Sequence, residues 1–216
     1  MPRPKNLEEK ARISHIAFRL LVEKGLNETS YTDIAEAADI TKSMAQYYFP
    51  SKEDLMELFL QECYEQVRQI VESNPYFQER SAFENYYAVL YVQCAFLFAN
   101  PKVELLCEDI LNSRVYTENF IKRSVRWLYE HIDLSDPVFA GTVEGAVEFS
   151  LGGIFNYIWY AKREKRHISA REISDKGLRV IELLAGLDFG MPDVPQQLTD
   201  EWVYGCVDKL NAYFFQ

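Results

Sequence analysis

Hydrophobic residues recur every three to four positions along much of this chain, the spacing that places side chains on one face of an α-helix. The pattern is first seen at Ile13, Ile16, Ala17, Leu20 and Leu21. Gly25 follows this segment and marks the predicted end of a first helix, because glycine is common just beyond the last turn of a helix. No segment shows a convincing strand pattern, so the sequence predicts an all-α protein.

Capping residues divide the next segment into two short helices. Ser30, with Asp33 three residues later, resembles a capping box and predicts the start of a second helix. Asp39 begins a tight turn, because aspartate tolerates the left-handed backbone conformation better than most residues. Thr41 then caps a third helix, which ends at Phe49 because the following proline cannot continue it. The predicted arrangement is that of a helix-turn-helix.

The remaining sequence predicts further helices as far as the C-terminus. Ser51 and Asp54 repeat the capping pattern and open a long fourth helix that ends near Ser73. Ser169 and Glu172 form a full capping box at the start of a later helix. The later helices are predicted over residues 81–99, 103–112, 117–132, 137–165, 169–187 and from 199 or 200 onward, with residues 190–195 as a loop.

The charge distribution limits the kind of partner that this chain can bind. The formal net charge is −10 over 216 residues, whereas general nucleic-acid binders are usually basic. Residues 1–24 hold six basic and three acidic residues, and residues 25–49 hold one basic and four acidic residues. Any DNA contact near the N-terminus must therefore use hydroxyl groups and helix N-termini as well as cations.

Cysteine and histidine usage indicates neither a metal site nor a disulfide framework. The four cysteines lie far apart without a C-x-x-C pair, and the three histidines are scattered. Residues 1–6 contain no apolar segment of a secretory signal. The apolar stretch 138–161 carries Glu144 and Glu148, which favours a buried helix over a membrane span. We therefore expect a cytoplasmic protein with no metal, no cofactor and no membrane contact.

Three segments share fixed spacings with a known DNA-binding domain: Gly25–Ala35, Ala38–Ser43 and Tyr47–Leu55. Together they resemble the helix-turn-helix domain of the TetR family of bacterial transcriptional regulators, over roughly residues 10–60. The resemblance implies a helix-turn-helix DNA-binding domain over residues 1–52. It also implies a helical bundle for ligand binding and dimerisation over residues 53–216.

The sequence departs from the family pattern in and around the third helix. Asp39 stands where the family has a turn glycine, and Ala45 and Gln46 replace a Leu-Tyr pair. Tyr48 replaces a histidine. These departures leave the expected fold intact, but the operator sequence does not follow from the resemblance.

The resemblance implies DNA contacts at positions of the second, third and fourth helices. The expected contact residues are Ser30, Thr41, Lys42, Ser43, Met44, Gln46, Tyr47, Tyr48 and Lys52. Ser30 and Thr41 would bind phosphates at helix N-termini, and Tyr48 and Lys52 would clamp phosphates. Gln46 has the donor and acceptor pair that reads adenine in the major groove.

Further contacts are expected at the bases and at the N-terminus. Lys42 would reach guanine or a phosphate, and Met44 would contact a thymine methyl group. Arg3 and Lys5 would form an arm toward the backbone or the minor groove. The alternative for each residue is a solvated helix face, and two adjacent tyrosines on a short exposed helix favour DNA contact. The expected core residues of this domain are Ile34, Ala35, Ala45 and Phe49.

The resemblance also implies a homodimer through the helices over residues 137–165 and 169–187. The first of these helices is apolar on nearly all sides and contains glycines at positions 141, 145, 152 and 153. Small residues let two helix backbones approach closely, as a two-fold interface requires. A core helix buried entirely within one chain is the alternative. A two-fold dimer places its recognition helices about 34 Å apart, so we expect a near-palindromic operator of double-stranded DNA.

Aromatic residues, 14% of the chain, are abundant after residue 80 and suggest a small-molecule site. The expected ligand-binding residues are Tyr87, Tyr91, Phe98, Trp127, Glu144, Glu148, Phe155 and Trp159. The aromatic set favours a bulky apolar or aromatic ligand. Glu144 and Glu148, if they faced the pocket, would prefer a cation near Trp127 or Trp159. The alternatives are core packing for the aromatics, and solvent or dimer contacts for the carboxylates.

These observations lead to one functional expectation and two alternatives. We expect a repressor whose effector tilts the long fourth helix and so changes the spacing of the recognition helices. A ligand-independent regulator controlled by a protein partner is the nearer alternative. An enzyme is the other, but the sequence shows no catalytic cluster in a motif context, no phosphate loop and no metal spacing.

Overall fold

The computed structural model describes residues 6–187 and 198–215. Their secondary structure is entirely helical, which confirms the predicted all-α fold. The helices are α1 (Leu7–Glu28), α2 (Tyr31–Ala38), α3 (Lys42–Tyr48), α4 (Lys52–Glu72), α5 (Pro75–Gln78), α6 (Ala82–Phe98), α7 (Glu104–Asn112), α8 (Arg114–His131), α9 (Pro137–Arg163), α10 (Ala170–Ala185) and α11 (Asp200–Phe215), with a 3₁₀ turn at Pro101–Val103. We refer to α1–α3 as the helix-turn-helix region and to α4–α11 as the C-terminal bundle. The expected loop over residues 190–195 and the expected arm of Arg3 and Lys5 lie outside the described residues.

Local capping interactions define the ends of α2, α3 and α4 as the sequence predicts. Ser30 forms a reciprocal capping box with Asp33 at the start of α2. Asp39 has φ 52° and ψ 51°, the left-handed conformation that the turn requires. Thr41 Oγ1 accepts a hydrogen bond from the Met44 N–H (3.2 Å) at the start of α3. Because these contacts join residues close in sequence, they are readable from the sequence alone.

The first helix differs from its prediction at its C-terminal end. Gly25 has φ 78° and ψ 168°, so it interrupts α1 as expected, but helical hydrogen bonding resumes and continues to Glu28. The Thr29 hydroxyl donates to the Gly25 carbonyl (2.7 Å), which holds this last turn in place. The interruption at Gly25 is therefore a kink within α1.

Two features of the C-terminal bundle differ from the prediction: the start of α8 and the presence of the short helix α5. Helix α8 begins at Arg114, three residues before the predicted Thr117, where the Ser113 hydroxyl accepts from the Tyr116 N–H (3.4 Å). The one-turn helix α5 is capped by Asn74, whose side chain accepts from the Tyr76 N–H (3.0 Å).

The full capping box predicted at the start of α10 is only half formed. Ser169 accepts from the Glu172 N–H (3.1 Å), as expected. The Glu172 carboxylate, however, accepts hydrogen bonds from the Tyr157 hydroxyl (2.6 Å) and Lys176 Nζ (2.7 Å). These two hydrogen bonds lower the pKa of Glu172 from its ordinary value, Lys176 contributing most. The tertiary contact with α9 thus takes the carboxylate away from the expected backbone partner.

The hydrophobic core runs without interruption from the helix-turn-helix region into the C-terminal bundle. At the junction, Phe214 of the last helix packs against Phe18 of α1, Phe59 of α4 and Phe96 of α6, with ring centroids 5.1–6.0 Å apart. All four side chains are buried. The last turn of α11 therefore fills the joint between the two parts of the chain, and we name these four rings the aromatic joint.

Helix α9 is long and apolar enough by length and composition to cross a membrane. In this fold, 44% of its most apolar window is buried, and it packs between α8 and α10. Ser150 Oγ donates to the Gly177 carbonyl of α10 (2.6 Å), and a Cβ at Gly177 would lie 2.4 Å from Ile154 Cδ1. One face of α9 is thus a close-packed core face.

Candidate DNA-binding surface

The two faces of α3 differ sharply in exposure. Ala45 is buried, and Phe49, just after the helix, is buried with it, as the sequence predicts. The exposed residues of α3 are Lys42, Ser43, Met44, Gln46 and Tyr47. These residues are the expected base-contacting set, so the structure presents them together on the outer face of one short helix.

Polar contacts brace α3 against its neighbours. The Tyr31 hydroxyl of α2 donates to the Phe49 carbonyl at the end of α3 (2.8 Å). Arg12 of α1 donates to the Ala38 carbonyl at the end of α2 (2.9 Å). Because the end of α2 and the end of α3 are each held by a hydrogen bond, α3 presents its outer face in a fixed orientation.

Two hydroxyls lie at exposed helix N-termini, where backbone N–H groups attract anions. Ser30 precedes α2, and Thr41 precedes α3. The Ser30 hydroxyl donates to the Asp33 carboxylate, which also pairs with Lys24 (2.5 Å). These partners, with Lys24 first, hold the pKa of Asp33 well below its ordinary value. A phosphate at the start of α2 would meet a site that already contains a carboxylate.

Two residues of the expected contact set lie elsewhere. Tyr48 is 6% exposed and belongs to the core, because it lies three residues after the buried Ala45 on the same helix face. Lys52 donates from Nζ to the carbonyls of Leu26 (2.8 Å) and Asn27 (3.1 Å) at the end of α1. The two residues expected to clamp phosphates are therefore engaged within the chain: Tyr48 is buried, and Lys52 is hydrogen-bonded to α1.

Residues 13–72 match the family model described as bacterial regulatory proteins, tetR family. By this match, residues 13–72 form a TetR-type domain. The matched segment contains most of α1 and all of α2, α3 and α4, so it includes the whole helix-turn-helix pair of this TetR-type domain. A comparison with curated proteins finds no match.

Solved structures resemble this chain over most of its length. A multidrug binding protein, EbrR, complexed with imidazole, aligns with a TM-score of 0.55 at 20% identity, covering 83% of this chain and 93% of that one. A transcriptional regulator from Aquifex aeolicus VF5 aligns with a TM-score of 0.46 at 22% identity, covering 81% and 98%. The fatty acid degradation regulator FadR from Bacillus halodurans aligns with a TM-score of 0.45 at 15% identity, covering 84% and 97%. The first of these likenesses shows that the TetR-type domain and the C-terminal bundle share the fold of that protein.

The expected ligand-binding tyrosines lie within the C-terminal bundle, and each donates a hydrogen bond to a carboxylate that is distant in sequence. The Tyr87 hydroxyl donates to the Asp175 carboxylate of α10, and the Tyr91 hydroxyl donates to Asp200 Oδ1 (2.5 Å). Burial first, and then these carboxylates, raise the pKa of both phenols. Both hydroxyls are therefore engaged with neighbouring helices.

The other expected ligand-binding residues fall into separate groups. Phe98 and Phe155 meet with ring centroids 5.9 Å apart in the core. Trp127 is buried and stacks on His131 with centroids 3.9 Å apart. The remaining residues of the set are Glu144, which accepts from the Tyr129 hydroxyl, Glu148, which is exposed, and Trp159, which is half-buried on α9. The structure does not bring these eight side chains into one cavity.

Proposed function

We propose that this chain is a cytoplasmic transcriptional regulator that binds a near-palindromic DNA operator as a homodimer. The observation that carries this proposal is the outer face of α3, where five exposed side chains are suited to DNA contact. The inner face of the helix is buried, and the Tyr31 hydroxyl holds its C-terminal end. A rigid recognition helix of this kind enters the major groove, where the donor and acceptor patterns of the bases differ. The TetR-type domain supports the same function.

The charge of the chain is compatible with this function when the contacts are specific. With a net charge of −10, nonspecific attraction to DNA is weak, so the bases must supply much of the discrimination. Gln46 carries the hydrogen-bond pair that reads adenine, and Tyr47 beside it is 43% exposed. Thr41, at the start of α3, supplies a hydroxyl for phosphate contact without a basic side chain.

The outer face of α9 supports the proposed homodimer. Phe149 is 71% exposed, and Gly145 and Val138 lie on the same face, four and eleven residues before it. A Cβ at Gly145 would meet no described atom within 4 Å, so this glycine serves no close contact among residues 6–187 and 198–215. An exposed apolar face with small residues allows a second α9 to approach closely. Leu183 of α10 is also exposed.

We further propose that the regulator represses transcription and that a small apolar or aromatic effector releases it from the operator. Helix α4 connects the recognition helix to the C-terminal bundle and packs against α6 and α11. A ligand that favours one orientation of α4 changes the separation of the two recognition helices. The coupling is set by the difference in ligand affinity between the two states, typically about 1–3 kcal/mol.

The proposal is tested by selecting duplexes from a random DNA library with the wild-type protein and titrating the selected duplex. The double variant Gln46→Ala, Tyr47→Ala should bind it at least tenfold more weakly, because each good base contact contributes about 1–3 kcal/mol. The matched control is Gln69→Ala, Tyr204→Ala, which removes an exposed glutamine and an exposed tyrosine from α4 and α11. Equal affinity of the double variant and wild type would show that α3 does not read the operator.

A further inference from the structure

A surface groove lies where the end of α7, the start of α8 and the outer side of α9 meet. Its volume is about 510 Å³, and a section lined by Glu108, Lys162 and Arg163 extends it by about 320 Å³. The two sections share Leu111, Asn112 and Trp159. A volume in this range accommodates a small organic molecule.

Trp159 forms an aromatic wall shared by both sections of the groove. Its Nε1–H donates to Asn112 Oδ1 of α7 (3.1 Å), which fixes the orientation of the indole. The Arg163 guanidinium lies 5.2 Å from the centroid of the indole ring. Leu111 and Phe155 supply apolar surface beside it. A flat ring can therefore stack here next to a positive charge.

The charges on the walls of the groove favour an anion. Arg114, Lys162 and Arg163 line it, whereas Glu108 is its one carboxylate among the lining residues. Arg114 pairs with Glu118 (2.7 Å), and Lys162 lies 3.7 Å from Glu104. Within residues 6–187 and 198–215, Arg163 forms no ion pair, so its guanidinium is available to a ligand carboxylate.

Helix α7 connects this groove to the helix-turn-helix region. Asp109 Oδ2 accepts from the Leu26 N–H (2.8 Å) just after the kink at Gly25 in α1. Asn112, which holds the indole of Trp159, lies three residues further along the same helix, a rise of about 4.5 Å. A ligand that stacks on the indole therefore lies against a side chain bonded to the helix that holds the end of α1.

We propose that the groove at Trp159 binds a planar aromatic carboxylate, with its ring on the indole and its carboxylate at Arg163. The ligand acts on the helix-turn-helix region through α7, from Asn112 to Asp109. This assignment deepens the proposed function by giving the effector a site and a chemical class. Its binding step does not depend on DNA, so the groove and the regulator function are tested separately.

Calorimetry with naphthoate as the probe tests the binding step. Wild-type protein should bind naphthoate at least tenfold more tightly than the uncharged naphthylmethanol. Trp159→Ala and Arg163→Gln should each weaken naphthoate binding at least tenfold. The matched control Arg166→Gln removes a nearby arginine that stacks on Tyr157 at 4.9 Å and should bind naphthoate as wild type does. No naphthoate binding by wild type, a preference for naphthylmethanol, or unchanged binding by Trp159→Ala and Arg163→Gln overturns the proposal.

The link through α7 is tested with the selected duplex and saturating naphthoate. Naphthoate should reduce the duplex affinity of wild type at least fivefold. Asp109→Ala should bind naphthoate as wild type does but lose this response, and an intact response in Asp109→Ala would show that α7 is not the link. If the protein binds the duplex but not naphthoate, the proposed ligand site is contradicted and the proposed regulator function is supported. Naphthoate binding without any selected duplex supports the groove and contradicts the regulator function.

Discussion

The helix-turn-helix region and the C-terminal bundle are both helical, but different contacts determine them. In the first, Ser30 and Thr41 cap their helices through partners three residues away. In the second, the defining polar contacts join Tyr87 to Asp175 and Asn100 to Asn211, which are 88 and 111 residues apart. The first region follows local rules of helix capping, whereas the second depends on which helices become neighbours.

This difference separates the general function from the specific one. The exposed face of α3 follows from helix periodicity once the ends of the helix are known. The groove at Trp159 exists only because Asn112 and Trp159, 47 residues apart, meet across α7 and α9. The proposed DNA-reading face is thus encoded locally in this chain, and the proposed effector site is a product of tertiary packing.

The largest expected effect comes from disrupting the aromatic joint, because its four rings belong to both regions and join them in one core. Phe214→Ala should lower the free energy of unfolding by about 3–5 kcal/mol, because a large buried ring is replaced by a cavity. Urea unfolding followed by tryptophan fluorescence reports the bundle, since all three tryptophans lie at or beyond position 127. Circular dichroism reports all helices. We expect the two signals to change together in wild type.

The control for this experiment is Tyr204→Ala, which removes an exposed ring from the same helix and should change stability by less than about 0.5 kcal/mol. Two separate transitions in wild type, with the early one absent from the fluorescence signal, would mean that the helix-turn-helix region unfolds independently. In that case α11 would not unite the two regions.

The next largest effect is expected at the outer face of α9. Phe149→Glu should convert the proposed dimer to a monomer in sedimentation experiments, because two carboxylates would face each other across the proposed two-fold axis. Loss of the paired half-site contacts should lower operator affinity about 100-fold or more. Thermal stability of the monomer should change little, since Phe149 is 71% exposed.

The matched control is Val115→Glu, which introduces the same charge at an exposed apolar position of α8. It should sediment as wild type does. A Phe149→Glu protein that remains dimeric would place the interface on another surface and would separate DNA binding from the outer face of α9.

The smallest expected effect tests the local contacts of the helix-turn-helix region, through the cap at the start of α3. Thr41→Ala removes the cap of α3 and should lower the free energy of unfolding by about 1 kcal/mol. Thr41→Ser keeps the capping oxygen and should retain nearly all of that stability. The measurement is urea unfolding of both variants beside wild type. Equal stability of wild type and Thr41→Ala would mean that tertiary contacts of α3, rather than its cap, determine the start of the helix.

The sequence predicted most of the fold but only part of the candidate sites. The ends of α2, α3 and α4 were predicted closely because each carries a side-chain cap. The capping box at Ser169 was half wrong because Tyr157 and Lys176 draw away the Glu172 carboxylate. A capping sequence at the start of a helix does not reveal which side chain of a neighbouring helix will bind the capping carboxylate.

The candidate sites show the same division. The contact set on α3 was implied by the family resemblance, and Tyr48 departs from it because this side chain lies on the helix face that is buried in the core. Asn112 and Arg163 were missed as groove residues. An asparagine at a helix end and an arginine in the last turn of α9 read as ordinary helix-terminal residues. The pairing of Asn112 with Trp159 leaves no signal in the local sequence, whereas Arg163 lies one helical turn after Trp159, a spacing that could have revealed their contact.

The sequence alone determined the helical character of the chain, the ends of its short N-terminal helices and the outer face of the recognition helix. These depend on backbone hydrogen bonds and side-chain caps between near neighbours. Only the tertiary structure decided the aromatic joint, the open glycine face of α9 and the groove at Trp159. Such features depend on how helices distant in sequence pack, and that packing is fixed by the complementary shapes of whole surfaces.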